Sequence, residues 1–145
     1  HRVKAHLDDA VARGAKVVKG GQLEEDDLTI HPTLLVNVPL DSSIMQDEIF
    51  GPLLPILTYK NRDEIYQQID ATGKPLAMYI FSPNDEFVED VLLNTSSGGV
   101  TVNSMMMHYM EKNLPFGGAN QSGIGRCKGI FGFKELSNAR SVFEA

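Results

Sequence analysis

Three apolar runs of strand length, separated by two amphipathic stretches of helix length, fill residues 53–102 and restrict the fold more than any other feature. Residues 53–59 (LLPILTY) read as the first strand, and Pro55, which has no N–H for a ladder, places its start near an edge or a bulge. Asn61 with Glu64 has the form of a capping box, and Ile65 and Ile69 mark the inner face of a helix stopping at Gly73. Residues 76–81 form the second apolar run. Ser82-Pro83 is expected to open the next helix, with proline at its first position, Asp85 and Glu86 in the first turn, and Val88, Val91 and Leu92 turned inward. Gly98-Gly99 then leads into Val100-Thr101-Val102. Apolar strands alternating with amphipathic helices predict an α/β fold, a β-α-β-α-β segment with a parallel sheet and right-handed crossovers.

The flanks are read from shorter signals. Val3, Leu7, Ala10 and Val11 lie on one helical stripe, so residues 1–14 predict a helix stopped by Gly14. A short strand over 16–18, a polar turn over 20–27 and an apolar run over 34–38 follow, with the acidic cluster 24–27 read as a solvated loop. Residues 114–125 form a glycine-rich loop. A helix is expected over 126–138, which Gly129 and Gly132 weaken, so close packing must hold it.

Length and charge bound the function. With 145 residues, one domain is the default. The excess of 19 acidic over 13 basic residues, a net charge of −6, argues against a nucleic-acid partner, whose phosphates call for a concentrated basic surface. A single cysteine, Cys127, excludes an internal disulfide and most thiolate metal sites. The scattered histidines His1, His6, His31 and His108 form no HExxH pattern, so no metal is expected. No apolar run is long enough to span a bilayer. The opening HRVKAHLDDA lacks Met and the apolar core of a signal peptide, which suggests a fragment of a longer, cytoplasmic protein.

Four features carry possible chemistry. Gly123, Gly125 and Gly129 have the spacing GxGxxxG rather than GxGxxG, and no strand precedes them, so a Rossmann phosphate loop is set aside. Cys127 between Arg126 and Lys128 would have a lowered thiol pKa if exposed, but no partner base lies near it in sequence, and an inert packing role is expected. His108, within the run Met105-Met106-Met107-His108-Tyr109-Met110, belongs either to the wall of an apolar pocket or to a packed loop with a hydrogen-bonded histidine. Asp47-Glu48-Ile49-Phe50-Gly51-Pro52 is either a recognition corner, with an acid for a diol and a ring for a flat heterocycle, or a strand entry with a solvated acid.

Glu48-Ile49-Phe50-Gly51-Pro52, followed by Pro115-Phe116-Gly117-Gly118 and Ser122-Gly123-Ile124-Gly125-Arg126, resembles the C-terminal part of the aldehyde dehydrogenase superfamily over essentially the whole chain. The loop 103–108 and the ending Phe131-Gly132-Phe133-Lys134 are most similar to the coniferyl-aldehyde and fatty-aldehyde dehydrogenase branch. The resemblance implies that residues 1–145 are one segment of a catalytic domain. Its parent would be an NAD- or NADP-dependent enzyme that oxidises an aldehyde through a cysteine thioester. The nucleophile, the base and the dinucleotide-binding domain would lie upstream, so no catalytic residue is expected here. Glu48 matches the glutamate that holds the nicotinamide ribose, and Phe50 the aromatic that positions the nicotinamide side. Phe116 matches a loop bordering the substrate tunnel, and His108 the variable loop before it. A homodimer or homotetramer acting on a small-molecule aldehyde is implied. The competing reading is a non-catalytic α/β binding module.

Overall fold

In the computed structural model, which describes residues 1–24 and 26–145, helix α1 (Arg2–Ala12) forms where its apolar stripe requires one, and the chain turns away at Gly14 with φ at 110°. The described residues gather into two units, 1–60 and 61–145.

In the first unit, β1 (Lys16–Lys19) pairs antiparallel with β4 (Thr33–Val36), and β4 pairs parallel with β5 (Leu53–Ile56). A two-residue ladder of β2 (Leu23–Glu24) and β3 (Thr29–Ile30) occupies the expected polar turn; Glu25, in the acidic cluster, lies outside the described residues. Ala10, Ala15, Leu35, Val38, Ile44 and Leu53 form the buried core, with Val3, Leu7, Ile30, Met45 and Ile49 packed on it. Val11 is exposed, contrary to the apolar stripe; Ala10 and His6 take the buried places. Pro55 stands on β5, the outer strand of the order β1-β4-β5, as its missing N–H requires. The short helix α2 (Ser43–Gln46) delivers the chain to residues 47–52.

In the second unit, α3 (Arg62–Thr72) begins at Asn61, whose side chain accepts from the Glu64 N–H at 3.2 Å, and ends at Gly73. β6 (Ala77–Ile80) and β7 (Gly99–Val102) pair in parallel, from Ala77 with Gly99 to Ile80 with Val102, with α4 (Asp85–Asn94) between them. This is the expected β-α-β unit.

Several expectations are corrected. The strand within 53–59 pairs with β4, and those within 76–81 and 100–102 pair with each other. Apolar runs mark strands but carry no information on their partners. Helix α4 starts at Asp85 rather than at Pro83, because the Asn84 side chain accepts from the Phe87 N–H at 3.0 Å and so takes the N-cap. Leu92 is exposed, and Val91 holds the buried position. The last helix, α6, is confined to Gly129–Glu135, because Cys127 is bridged to Phe116 and Lys128 turns at φ 76°.

Candidate functional site

The segment 47–52 is fastened from below by a polar stripe on α1. Arg2, His6 and Asp9 fall at i, i+4 and i+7, one face of the helix. Asp9 accepts from the Ser43 N–H at 2.8 Å, and His6 Nδ1 lies 2.9 Å from Ser43 Oγ, so both hold the start of α2. The Arg13 guanidinium on Asp9 and, after it, the Ser43 N–H hold the Asp9 carboxyl below the usual aspartate range. Arg2 then donates to three successive carbonyls: Glu48 at 3.3 Å, Ile49 at 2.5 Å and Phe50 at 3.4 Å. Gly51 approaches Val3 so closely that a β-carbon there would stand 2.7 Å from Val3 Cγ2.

With the carbonyls turned to Arg2 and Ile49 packed on the core, the two flanking side chains are left outside. Glu48 is exposed, and its carboxylate has no partner among the described residues. Phe50 is 79% exposed with φ at 42°, a left-handed conformation uncommon for a large side chain. An ionised carboxylate two residues from an open ring can accept both hydroxyls of a diol and cover a flat heterocycle.

The second unit holds Phe116 and His108. Short element α5 (Met107–Met110) carries His108, which is 6% exposed; Thr101 Oγ1 lies 2.6 Å from its Nδ1 and accepts its backbone N–H at 3.1 Å. Its ring stacks on Phe116, with centroids 6.2 Å apart and planes at 22°. Tyr109 meets Phe116 edge-on at 5.0 Å, and Lys128 Nζ stands 3.6 Å from the Tyr109 centroid. The packed-loop reading thus describes His108 but not its neighbours, since Met105, Met106, Met107 and Met110 are exposed.

Phe116 is also held by its backbone. It exchanges both peptide hydrogen bonds with Cys127, at 3.0 and 2.7 Å. Gly117 and Gly118 lie against the carbonyls of Gly125 and Ser122, where β-carbons would come within 2.3 and 2.0 Å. Arg126 donates to the Gly118 carbonyl and to that of Gly125 at 2.9 Å. The two glycine motifs therefore form one object, and Gly117 and Gly118 allow its close packing. Cys127 is exposed rather than packed, and its thiol is directed to the Phe116 carbonyl at 3.1 Å.

Glu48 and Phe50 share one loop, and His108 and Phe116 stack on each other. The sequence reading missed Arg2, His6 and Asp9; their helical spacing was the available signal, but a polar stripe usually faces solvent. Among the described residues no group of three or more His, Cys, Asp or Glu could hold a metal ion, and no helix is long and apolar enough to cross a membrane.

The signature of the aldehyde dehydrogenase family matches residues 1–142. The chain belongs to that family. It is 47% identical over 143 residues to AldX of Bacillus subtilis (strain 168), which is named as an aldehyde dehydrogenase, covering 99% of this chain and 32% of AldX. It is 42% identical over 148 residues to a Caulobacter vibrioides protein named "Probable coniferyl aldehyde dehydrogenase", covering 99% of this chain and 30% of that protein. A solved NAD-dependent aldehyde dehydrogenase from Sinorhizobium meliloti superposes with a TM-score of 0.86 at 32% identity, covering 94% of this chain and 27% of that structure. The chain spans about a third of the length of the curated relatives it matches. The aldehyde dehydrogenase expectation and the α/β class are thereby borne out.

Proposed function

We propose that this chain is the C-terminal part of the catalytic domain of an NAD- or NADP-dependent aldehyde dehydrogenase, and that it supplies the cofactor's ribose and nicotinamide contacts. The observation that carries this is the loop 48–50, whose backbone is tied down while Glu48 and the strained Phe50 ring face outward. The residues present fit the group: the carboxylate can accept from both ribose hydroxyls, and the ring can cover one side of the nicotinamide. When bound, the nicotinamide would supply a hydride acceptor; Glu48 would hold the ribose and Phe50 would lie against the nicotinamide side.

Phe116 is proposed to border the substrate, with His108 behind it setting the ring's plane. The aromatic cluster in which Tyr79 and Phe116 flank His108 and Tyr109 meets Phe116 supports an aromatic or long-chain aldehyde, in keeping with the name of the Caulobacter relative. The nucleophile and base belong to the upstream part of the parent, so residues 1–145 alone are expected to be inactive. The parent is proposed to be cytoplasmic and a homodimer or homotetramer.

The test is Glu48→Gln in the full-length parent. Losing the charge weakens a bond of about 1.5–3 kcal/mol. The Michaelis constant for the cofactor should rise, and misalignment should slow hydride transfer enough to enlarge the isotope effect with deuterated aldehyde. Unchanged cofactor constants together with an unchanged isotope effect would return Glu48 to a solvated acid at a strand entry.

A further inference from the structure

The Arg2 guanidinium spans three consecutive carbonyls of the segment bearing Glu48 and Phe50. A planar fork of fixed donors sets the orientation of successive peptide planes, which a single ammonium cannot do. With all three carbonyls turned inward toward one cation, the Cα–Cβ vectors on either side of Ile49 are set outward. Phe50 in this segment has φ at 42°, a backbone conformation that a large side chain keeps only where its surroundings over-determine it. The base of the clamp is itself fixed. Arg2 Nη1 lies 3.4 Å from His6 Nε2, His6 Nδ1 meets Ser43 Oγ, and Gly51 presses on Val3 of the same helical turn.

We propose that Arg2 is a positioning residue for the cofactor, acting through the carbonyls of residues 48–50 to hold the Glu48 carboxylate and the Phe50 ring in their binding orientation. The inference rests on the cofactor role proposed for Glu48. The Arg2 guanidinium is engaged by the three carbonyls and by His6 Nε2. Its effect on binding is therefore felt only through the loop, and this separates positioning from direct contact.

The experiment is a double-mutant cycle in the full-length protein, read by equilibrium titration with NADH and, separately, NADPH, alongside thermal unfolding. Arg2→Met should weaken dinucleotide binding about tenfold. Arg2→Lys, which keeps the charge but not the fork, should recover part of that loss. In Arg2→Met with Glu48→Gln, removing the clamp should cost less than it does in the presence of Glu48, because part of what it positions is already gone. Dinucleotide binding within about twofold of the parent in Arg2→Met overturns the proposal, as do losses that multiply in the double variant. A lowered unfolding temperature with unchanged binding also overturns it, leaving Arg2 as a packing residue. If Glu48→Gln alone leaves binding unchanged, the cofactor role of Glu48 fails, and the proposal for Arg2 falls with it. If Glu48→Gln weakens binding and the Arg2 variants do not, only the proposal for Arg2 is lost. Should Arg2→Met not fold, Arg2→Lys carries the same cycle.

Discussion

Thr101 Oγ1 lies 2.6 Å from His108 Nδ1 and, at 3.1 Å, accepts the backbone N–H of the same histidine, so one hydroxyl on β7 serves two polar atoms of a buried residue. A hydroxyl carries one donor and two acceptor sites, so it can serve both atoms at once. The stack of His108 on Phe116 places this pair directly behind the ring proposed to meet substrate.

Thr101→Val keeps the shape and removes both partners. Stability should fall by about 1–3 kcal/mol, the cost of leaving buried polar groups unpaired. In the full-length parent, the Michaelis constant for an aromatic aldehyde should also rise more than that for a short aliphatic one. Urea unfolding and paired kinetics check this, and an equal change for both aldehydes would separate His108 from the substrate side.

The acid limb of stability should depend on Asp90. Tyr66 donates to its carboxylate at 2.6 Å and Arg62 at 2.9 Å, and these two, in that order, hold its pKa below the usual aspartate range. A folded pKa below the unfolded one means that the contribution is present above the ordinary aspartate range. It is lost as pH falls through the depressed value. Asp90→Asn should therefore flatten the acid limb of the urea midpoint against pH and leave its shape at neutral pH unchanged. An acid limb as steep as that of the unsubstituted chain would show that other carboxylates govern it.

Helix α4 should be sensitive at Asn84 and tolerant at Pro83. Asn84→Ala removes the cap on the Phe87 N–H and should cost about 1 kcal/mol, whereas Pro83→Ala lies outside the helix and should cost much less. Denaturant midpoints of the two variants compare them directly. The reverse ranking would restore proline as the first helical residue.

Cys127→Ser in the full-length parent should retain turnover within about twofold, because its Sγ is bonded to a peptide carbonyl, and serine can keep that bond. A burst of acyl-enzyme measured by rapid quench should persist. Loss of the burst would make Cys127 the nucleophile and overturn the assignment of that role upstream.

How much was legible in advance follows the range of each signal. The capped start at Asn61, the stop at Gly73, the helix over α1 and the parallel β6–β7 pair all arise from contacts within a helical turn or within one β-α-β crossover. Pro83 misled because two local start signals compete, and the one that makes a hydrogen bond wins. Leu92 and Val11 misled because apolar character marks what can be buried, not what a neighbour covers.

Periodicity, caps and the ordered motifs around Glu48, Phe116 and Gly125 determined, from the sequence alone, the element types, the α/β class and the family. Tertiary structure alone decided that β5 pairs with β4, that Cys127 lies extended along Phe116, and that Arg2 reaches the carbonyls of residues 48–50. The physical reason is sequence distance. A cap or an amphipathic stripe is written into adjacent residues, but nothing local to Arg2 specifies a partner 46 to 48 positions away. Such contacts are chosen by the closing of the core around Ile49 and Leu53, and only then do the Glu48 carboxylate and the Phe50 ring acquire a direction.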